Sequence, residues 1–527
     1  MQVGTHQYQC DLLIVGGGIN GAGIARDAAG RGLSVILCEK DDLAAHTSSA
    51  SSKLIHGGLR YLEYYEFSLV RKALIEREDL LRIAPHLISP LRFVMPRTPG
   101  LRPGWLLRAG LFIYDHLAER QLLPGTQSIS FNQHVSGACL QPNLKKGFLY
   151  SDAWVDDARL VVLNALDAQE RGAKILTRTE CTHLTQDNGR WKLQLRRKTA
   201  QGTQQINVDA ACVVNATGAW AAQIQHQSDP AMPAKKLRLI KGSHIVVRKL
   251  FDHDHAYIFQ HADGRIVFAI PYESEFTLIG TTDFEYQGNL DSLQISEQEI
   301  AYLCGLSNQY FLQQISAADV LHSYSGVRPL VDDGHADAKS ITRDYRLDWV
   351  QEGAPILHVF GGKITTYRRL AEDAMQKIAP YFNKDTSSWT KTVCLPGGDV
   401  FSAHVDNQNV EHLPQFVQRC QQQYDWLSSA TVRRMAHAYG SRLHKLLADC
   451  TKEADMGEQI LNGLYAVEVR YLLDVEFAAS AHDILWRRSK LGLHLPASAE
   501  SILDEWIARH STRSALSADI TFDIPNH

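Results

Sequence analysis

The sequence predicts an α/β chain in which a doubly wound, dinucleotide-binding unit is interleaved with an antiparallel sheet and followed by an all-α domain. Three observations carry this. DLLIV (11–15), GGGING (16–21), AGIARDAAGRG (22–32) and SVILCEK (34–40) read as strand, Gly-rich turn, helix and strand. Strand-like runs at 237–248, 256–260, 265–271 and 276–282, separated by turns, have the pattern of an antiparallel sheet. Beyond about residue 395 the pattern is helical, rich in Arg, Gln, Ala and Leu and without a Gly-rich loop. The expected domains are 1–394 for the two interleaved units, with the sheet at roughly 237–330, and 395–527 for the helices.

The opening unit has the chemistry of a Rossmann fingerprint. Gly16 allows a tight turn, Gly18 lets the backbone approach a pyrophosphate, and Gly21 lets helix and strand pack closely. The helix start offers free N–H groups and the positive end of its dipole to phosphates. Glu39, ending the second strand, is placed to accept hydrogen bonds from a ribose 2′-hydroxyl, which argues against a 2′-phosphorylated nucleotide. At this point FAD and NAD both fit. Bulk properties close other classes. Lys and Arg number 54 against 58 Asp and Glu, so a net charge of −4 supplies no global field for nucleic acid. The 9 cysteines show neither C-x-x-C nor metal-ligand spacing, as expected of reduced thiols in the cytosol with no metal. A polar N-terminus runs straight into the first strand, leaving no room for a signal peptide. No run of about 18 apolar residues occurs, so the chain is not expected to span a membrane. Serine-protease and two-carboxylate glycosidase chemistries have no supporting spacing.

After Glu39 come Ser48, Ser49, Ser51 and Ser52, too many small hydroxyls for a core element and suited to a loop wrapping phosphates and ribose. KLIHGGLRY (53–61) follows, with His56, Gly57, Gly58, Arg60 and Tyr61 where backbone must pass close to something. A loop this long without structure is usually functional. Here a resemblance becomes specific. GGGINGAGIARDAAGRGLSV, followed by TSSASSKLIHGGLRYLEYYEF, closely resembles the FAD-dependent (aerobic, quinone-linked) glycerol-3-phosphate dehydrogenase family. The resemblance continues through WVDDARL (154–160), NATGAWA (215–221), KGSHIVV (241–247), GTTDFEY (280–286), YSGVRPL (324–330), ITRDY (341–345) and VFGGKITTYRRLAE (359–372). It covers essentially the whole chain in order. It implies a Rossmann-like FAD-binding domain interleaved with an antiparallel-sheet substrate domain, plus a C-terminal all-α domain. It also implies oxidation of sn-glycerol 3-phosphate to glycerone phosphate by hydride transfer to FAD, with electrons passed to a membrane quinone. No residue demands a bond to the FAD, so its attachment is expected to be non-covalent. The rival expectations are an oxidase using O₂, an amine oxidase of the same fold, and a non-catalytic flavin-binding membrane protein.

Residues 67–83 read as a helix of mixed charge. Between 80 and 114 there is no Asp or Glu, while Arg82, Arg92, Arg97, Arg102 and Arg108 supply positive charge among prolines, Trp105 and LLRAGLFIY. This reads as an interfacial segment, with Arg at the headgroups and Trp and Leu in the acyl boundary. The expected location is therefore cytoplasmic, peripherally attached to an anionic membrane surface. Residues 154–173 read as a helix, 174–197 as strands across a turn at 187–189, and 208–218 as an apolar strand ending in small residues. That end is where a doubly wound sheet approaches its dinucleotide. Residues 296–313 are an amphipathic helix, and 359–378 end a strand, turn at Gly361 and Gly362 and open a helix near Lys363. PGGDVFSAHVDNQN (396–409) is polar and linker-like.

One nucleotide fingerprint and no second one for NAD(P)H favour a flavoprotein that takes electrons directly from substrate. A flavin accepting hydride at N5 develops negative charge toward N1–O2, which a cation or helix start can stabilise. The expected cofactor contacts are Gly16, Gly18, Asn20, Gly21 and Glu39 of the first unit, with Ser48, Ser49, Ser51, Ser52, Leu54, His56 and Gly57 of the loop. Ala216, Gly218, Gly362, Lys363 and Thr365 complete them. The expected substrate contacts are Arg60, Tyr61, His244, Arg328, Arg343 and Lys363, with Arg60, His244, Arg328 and Lys363 as the catalytic set. A phosphate dianion needs cations, and Arg grips its oxygens in a bidentate way. Imidazole titrates near working pH, so His244 is the expected base, with His56 as the alternative. A homodimer is compatible with the sequence.

Overall fold

The strand His6–Val15 lies between Gly202–Asn215 and Val35–Cys38, parallel to both. Ile356–Phe360 and Lys174–Leu176 extend this parallel core on either side, and Arg346–Val350 closes one edge antiparallel. The hairpin Thr179–Asp187 and Arg190–Thr199 joins through Gly202–Asn215, completing an eight-stranded sheet. The computed structural model describes residues 6–98, 102–199, 202–230, 235–261, 264–332 and 344–510. Parallel strands covered on both faces read as unbroken apolar runs, and the two faces sort the residues by alternation. Leu12, Ile14, Val35, Leu37, Cys212 and Val214 face the helices Ile19–Gly30, Asp157–Glu170 and Tyr367–Ile378. Leu13, Val15, Ile36, Cys38 and Val213 pack with Trp191, Leu193 and Leu195 of the hairpin on the other side.

The second sheet has ten strands. Leu237–Arg248 sits antiparallel between Phe276–Gly280 and His322–Val331, and Ile266–Tyr272 and Ala256–Gln260 follow outward. Ile88–Pro96 and Lys146–Val155 then join, so the sheet draws on segments well before residue 237. The partners of Ile88–Pro96 lie in Lys146–Val155 on one side and at Ala256 and Tyr257 on the other, both beyond the reach of a local pattern. Its place in the core also changes the reading of the acid-free segment. Arg92 turns inward to Pro124 O, Gly125 O and Ser151 Oγ, Arg82 pairs with Asp79 at 2.7 Å, and Arg102 pairs with Glu63. These three arginines are spent on protein partners rather than held out toward headgroups. The exposed apolar residues of the segment instead sit on the helix Gly104–His116.

Trp154 and Val155 finish a strand, and the following helix starts only at Asp157, with the Asp156 side chain accepting from Arg159 N at 3.2 Å. The run expected as a linker is packed instead. Leu395 N donates to Ile83 O at 3.0 Å, and the buried Asn409 amide closes the loop onto Phe401 N, Ser402 O and His404 O. The helices beyond enclose a core of their own around Phe416, Met435, Val469, Leu503 and Trp506, with one short strand pair, Gln459–Leu461 and Leu464–Tyr465. They are bound to the first domain by buried ion pairs. Arg488 reaches Asp42 at 2.7 Å, Arg487 reaches it at 2.6 Å, and Arg159 pairs with Glu476. Burial works against the Asp42 charge, but the two guanidiniums hold its pKa at about 2.

Three imidazoles are almost sealed from water: His86 (3% exposed), His244 (2%) and His358 (1%). Burial pushes His86 and His244 down to about 3, helped by Arg159 and His437 for the first and by Lys53 and Arg328 for the second; burial takes His358 to about 4. An unfolded chain protonates these rings near pH 6.5, whereas the native chain does so only some three units lower. The unfolded state therefore binds more protons between those values, and stability falls as pH falls through that window. The thermal unfolding midpoint should drop steadily from pH 7 to pH 4.5 by scanning calorimetry; a midpoint flat across that range would contradict these three rings being neutral.

Candidate functional site

Three strand ends converge on one crevice. After Val15 the chain turns through Gly16, at φ +112°, and the helix Ile19–Gly30 begins behind Gly18 with no side-chain cap. A Cβ on Gly16 would lie 2.5 Å from Ala216 O, and one on Gly21 would overlap the Gly16 carbonyl. Only backbone fits at these two positions. The Asn20 amide donates to Gly361 O at 3.1 Å, binding the first helix to the turn of Gly361 and Gly362, both at positive φ. Gly16 to Gly21, Ala216 to Gly218 and Gly361 to Lys363 thus line the carboxyl ends of three parallel strands. In an open doubly wound sheet that is where a dinucleotide lies. Glu39 is buried, and its carboxylate accepts from Gly17 N at 2.7 Å and Asp41 N at 2.9 Å. Burial pushes its pKa up.

The Ser-rich loop is held at each of its steps. Ser48 Oγ accepts from Ile19 N at 3.0 Å, leaving the adjacent N–H groups of the helix start open for phosphate. Ser49 Oγ donates to His46 O at 3.3 Å, and Ser51 Oγ donates to Asp157 at 2.7 Å, beside the buried Lys53–Asp157 pair. Ser52 Oγ lies 2.9 Å from His244 Nε2. Leu54 is a buried strand residue opposite Trp154. His56 N donates to Thr365 Oγ1 at 3.3 Å, and burial lowers the pKa of its ring. Gly57 N donates to Tyr114 Oη at 2.8 Å, and Tyr114 in turn donates to Asp152, which Arg77 grips at 2.7 Å. This buried Tyr114–Asp152–Arg77 support carries no motif and was not legible in the sequence.

Opposite the crevice, glycines of the second sheet let other groups pack close: a Cβ on Gly242 would lie 2.5 Å from Thr281 Oγ1, one on Gly326 3.0 Å from Ala50 Cβ, and one on Gly280 inside the His244 ring. His244 lies across from Gly280 on one side and Tyr324 on the other; Gly242 lies across from Gly326, and Ile240 from Arg328. Directly opposed residues share a face, as do residues two apart. His244 and Arg328 therefore flank a floor of paired glycines. The Arg328 guanidinium folds back over it, its Nη2 3.2 Å from where a Gly242 Cβ would stand. Nη2 is anchored to Asp283 at 3.1 Å and Thr282 O at 3.4 Å, while Nε and Nη1 make no hydrogen bond among the described residues. The side chain is 38% exposed, so a guanidinium edge faces the site. Lys363 Nζ stands 3.8 Å over the Tyr61 ring, and Arg60, half-buried on the same 3₁₀ turn Leu59–Tyr64, donates to Tyr64 Oη at 3.3 Å. Arg343 lies outside the described residues. Asp283, the partner of Arg328, was missed; its only sequence signal was a carboxylate in GTTDFEY.

Comparison with known proteins agrees along nearly the whole chain. The FAD dependent oxidoreductase family matches residues 11–368, and the C-terminal domain of alpha-glycerophosphate oxidase matches residues 388–517. A glycerol-3-phosphate dehydrogenase of Pseudomonas aeruginosa is 51% identical, covering 94% of each chain. The aerobic glycerol-3-phosphate dehydrogenase of Escherichia coli K12 is 46% identical over 95% of this chain and 98% of its own. D-erythritol 1-phosphate dehydrogenase of Brucella abortus is also 46% identical, over 94% and 97%. Among solved structures, the glycerol-3-phosphate dehydrogenase of Bacillus halodurans complexed with FAD superposes with a TM-score of 0.74 at 27% identity, covering 98% and 96%.

The backbone contact at Gly21 yields a direct test. Gly21→Ala inserts a methyl against the Gly16 carbonyl, so the turn must open and the phosphate cradle with it. The purified variant should lose its flavin absorbance while the helical domain keeps its far-ultraviolet signature; full flavin content would show that the turn tolerates the methyl.

Proposed function

The chain belongs to the FAD-dependent glycerol-3-phosphate dehydrogenase family, and we propose that it oxidises sn-glycerol 3-phosphate to glycerone phosphate and passes the electrons to a membrane quinone. The observation that carries the reading is the pair His244 and Arg328 across a glycine floor, one neutral and buried, the other cationic and half-exposed. Bound FAD supplies the hydride acceptor. Arg328 turns its free Nε and Nη1 edge to the phosphate, a geometry Lys cannot copy. Arg60 is the second phosphate cation, and Lys363, beside Tyr61, stabilises the substrate oxygen or the reduced flavin. Asp283 keeps Arg328 from collapsing onto other acceptors. His244 is the base that finally holds the proton lost from the C2 hydroxyl as hydride leaves C2. Burial, with Lys53 and Arg328, holds its pKa at about 3, so, against the expectation from its residue type, it does not titrate near working pH. It is unprotonated at rest, and a bound phosphate dianion favours its charged form.

Anaerobic stopped-flow bleaching of the flavin by sn-glycerol 3-phosphate tests these roles. Arg328→Lys should raise the substrate concentration needed for half-maximal rate at least about tenfold, the loss of one charge-assisted contact, with FAD retained. His244→Ala should slow bleaching by about a hundredfold or more, as for a general base. Unchanged substrate dependence would move the phosphate to other residues. D-Erythritol 1-phosphate belongs in the same assay, because a relative as similar as the Escherichia coli enzyme carries that name. Faster bleaching with it would replace the three-carbon substrate by the four-carbon one.

No helix among the described residues is long and apolar enough to cross a membrane. Attachment to the anionic surface would instead rest on the helix Gly104–His116, where Trp105 is 73% and Phe112 61% exposed, beside Tyr65 on the neighbouring turn. Such a face lies in the interfacial zone with aromatic rings at the headgroup level. Trp105→Ala with Phe112→Ala should leave the protein in the supernatant when it is spun with phosphatidylglycerol vesicles, with dye-linked activity intact. Pelleting equal to that of the unaltered protein would sink the proposal.

A further inference from the structure

The His244 ring is closed on every side but one. One face lies on the main chain of Gly280, where any Cβ would penetrate the imidazole, and the other stacks on Tyr324 at 5.0 Å and 23°. Nδ1 is buried, out of contact with solvent, and has no hydrogen-bond partner among the described residues. The whole residue is 2% exposed. The remaining edge, Nε2, meets Ser52 Oγ at 2.9 Å. Ser52 itself is half-buried, on the loop that runs along the cofactor crevice. Its two neighbours in the chain are held in place: Tyr324 Oη donates to Ser51 O at 2.9 Å, and the Lys53 side chain is fixed by Asp157 and Ser49 O. A substrate hydroxyl therefore meets Ser52 before it can meet the imidazole.

We propose that Ser52 is a catalytic residue that relays the proton between the substrate hydroxyl and His244. This rests on the reading of His244 as the base. A serine hydroxyl can donate one hydrogen bond while accepting another, so it can pass a proton without holding charge. As hydride leaves C2 for the flavin, the C2 hydroxyl proton moves to Ser52 Oγ. The Ser52 hydroxyl proton moves to His244 Nε2 in the same step. The substrate ends as the ketone, Ser52 is unchanged, and His244 carries the proton until it returns through Ser52 once the product has left. The relay explains why a base should sit in a sealed ring slot, where direct contact with substrate would require Tyr324 or Gly280 to move.

The test is the rate of anaerobic flavin bleaching in a double-mutant cycle, with flavin content as a second readout. Ser52→Ala should slow bleaching by about a hundredfold or more, in the range of lost general-base catalysis, with FAD still bound. Ser52→Thr, which keeps the hydroxyl, should recover most of the rate. In the His244→Ala background, adding Ser52→Ala should cost no more than about twofold, because two groups acting on one proton are not additive. A wild-type rate for Ser52→Ala, or an undiminished loss in the His244→Ala background, would overturn the relay. A wild-type rate for His244→Ala alone would instead remove the reading of His244 as base, a separate result. A proton inventory on the unaltered enzyme needs no variant at all. A bowed dependence on deuterium fraction means two protons in flight and fits the relay, while a straight line means one proton and refutes it.

Discussion

The contact on which the rest of the site depends is backbone against backbone. The helix Ile19–Gly30 can approach the turn after Val15 only because Gly21 presents no side chain to the Gly16 carbonyl, and Gly16 presents none to Ala216. A close approach of this kind forms no strong bond. It works by exclusion, bringing the open end of a helix within reach of phosphates and placing it between two further strand ends. Asn20, one residue earlier, then reaches Gly361 O, so the same few residues set the distance between the first strand and the turn that carries Lys363.

From that crevice the loop of residues 46–56 carries the geometry across to the second sheet. Thr47 donates to Val327 O at 2.9 Å, Ser51 binds Asp157, Ser52 meets His244 and His56 N meets Thr365. A loop rich in hydroxyls suits this work because each hydroxyl both donates and accepts, so one short segment can be fixed to strand, helix and turn without a core of its own. The crevice at the three strand ends and the glycine-bearing face of the second sheet are thereby parts of one hydrogen-bonded unit. The Lys53–Asp157 pair lies at its centre, buried on both sides, so removing either partner would leave an uncompensated charge there.

The helical domain is attached by the same kind of chemistry. Arg487 and Arg488 converge on Asp42, at the foot of the Ser-rich loop, and Lys490 pairs with Asp156 beside the start of the helix Asp157–Glu170. Buried ion pairs of this sort add little net stability compared with apolar contacts, but they tolerate only one relative placement of the groups that make them. Their positions, immediately behind the loop and behind Asp157, give the domain a structural bearing on the site although, among the described residues, it contributes none to the glycine floor.

What could be read without coordinates is what short stretches of chain determine for themselves. The strand, Gly-rich turn, helix and strand at the start, the helix at Phe67–Ile83 and the strands Leu237–Arg248 and Ala256–Gln260 depend on spacing within a few residues, and they stand where the sequence puts them. The glycines of the turn were legible because their chemistry is local. Ile88–Pro96 was misread as interfacial because its partners come from residues 147–155, and an arginine-bearing strand in a sheet has no local mark to separate it from a basic surface segment. The pairing of Ser52 with His244 spans 192 positions, and that of Arg328 with Asp283 spans 45. Each fixes a loop residue, Ser52 or Asp283, against a strand residue. His244 and Arg328 share a face only through the register of Leu237–Arg248 against His322–Val331, and a shift of one residue there would turn a whole strand to the opposite face. The sequence by itself determined which residues were available for binding and proton transfer; only the tertiary structure decided which of them touch, because strand register is fixed by distant partners and not by neighbours in the chain.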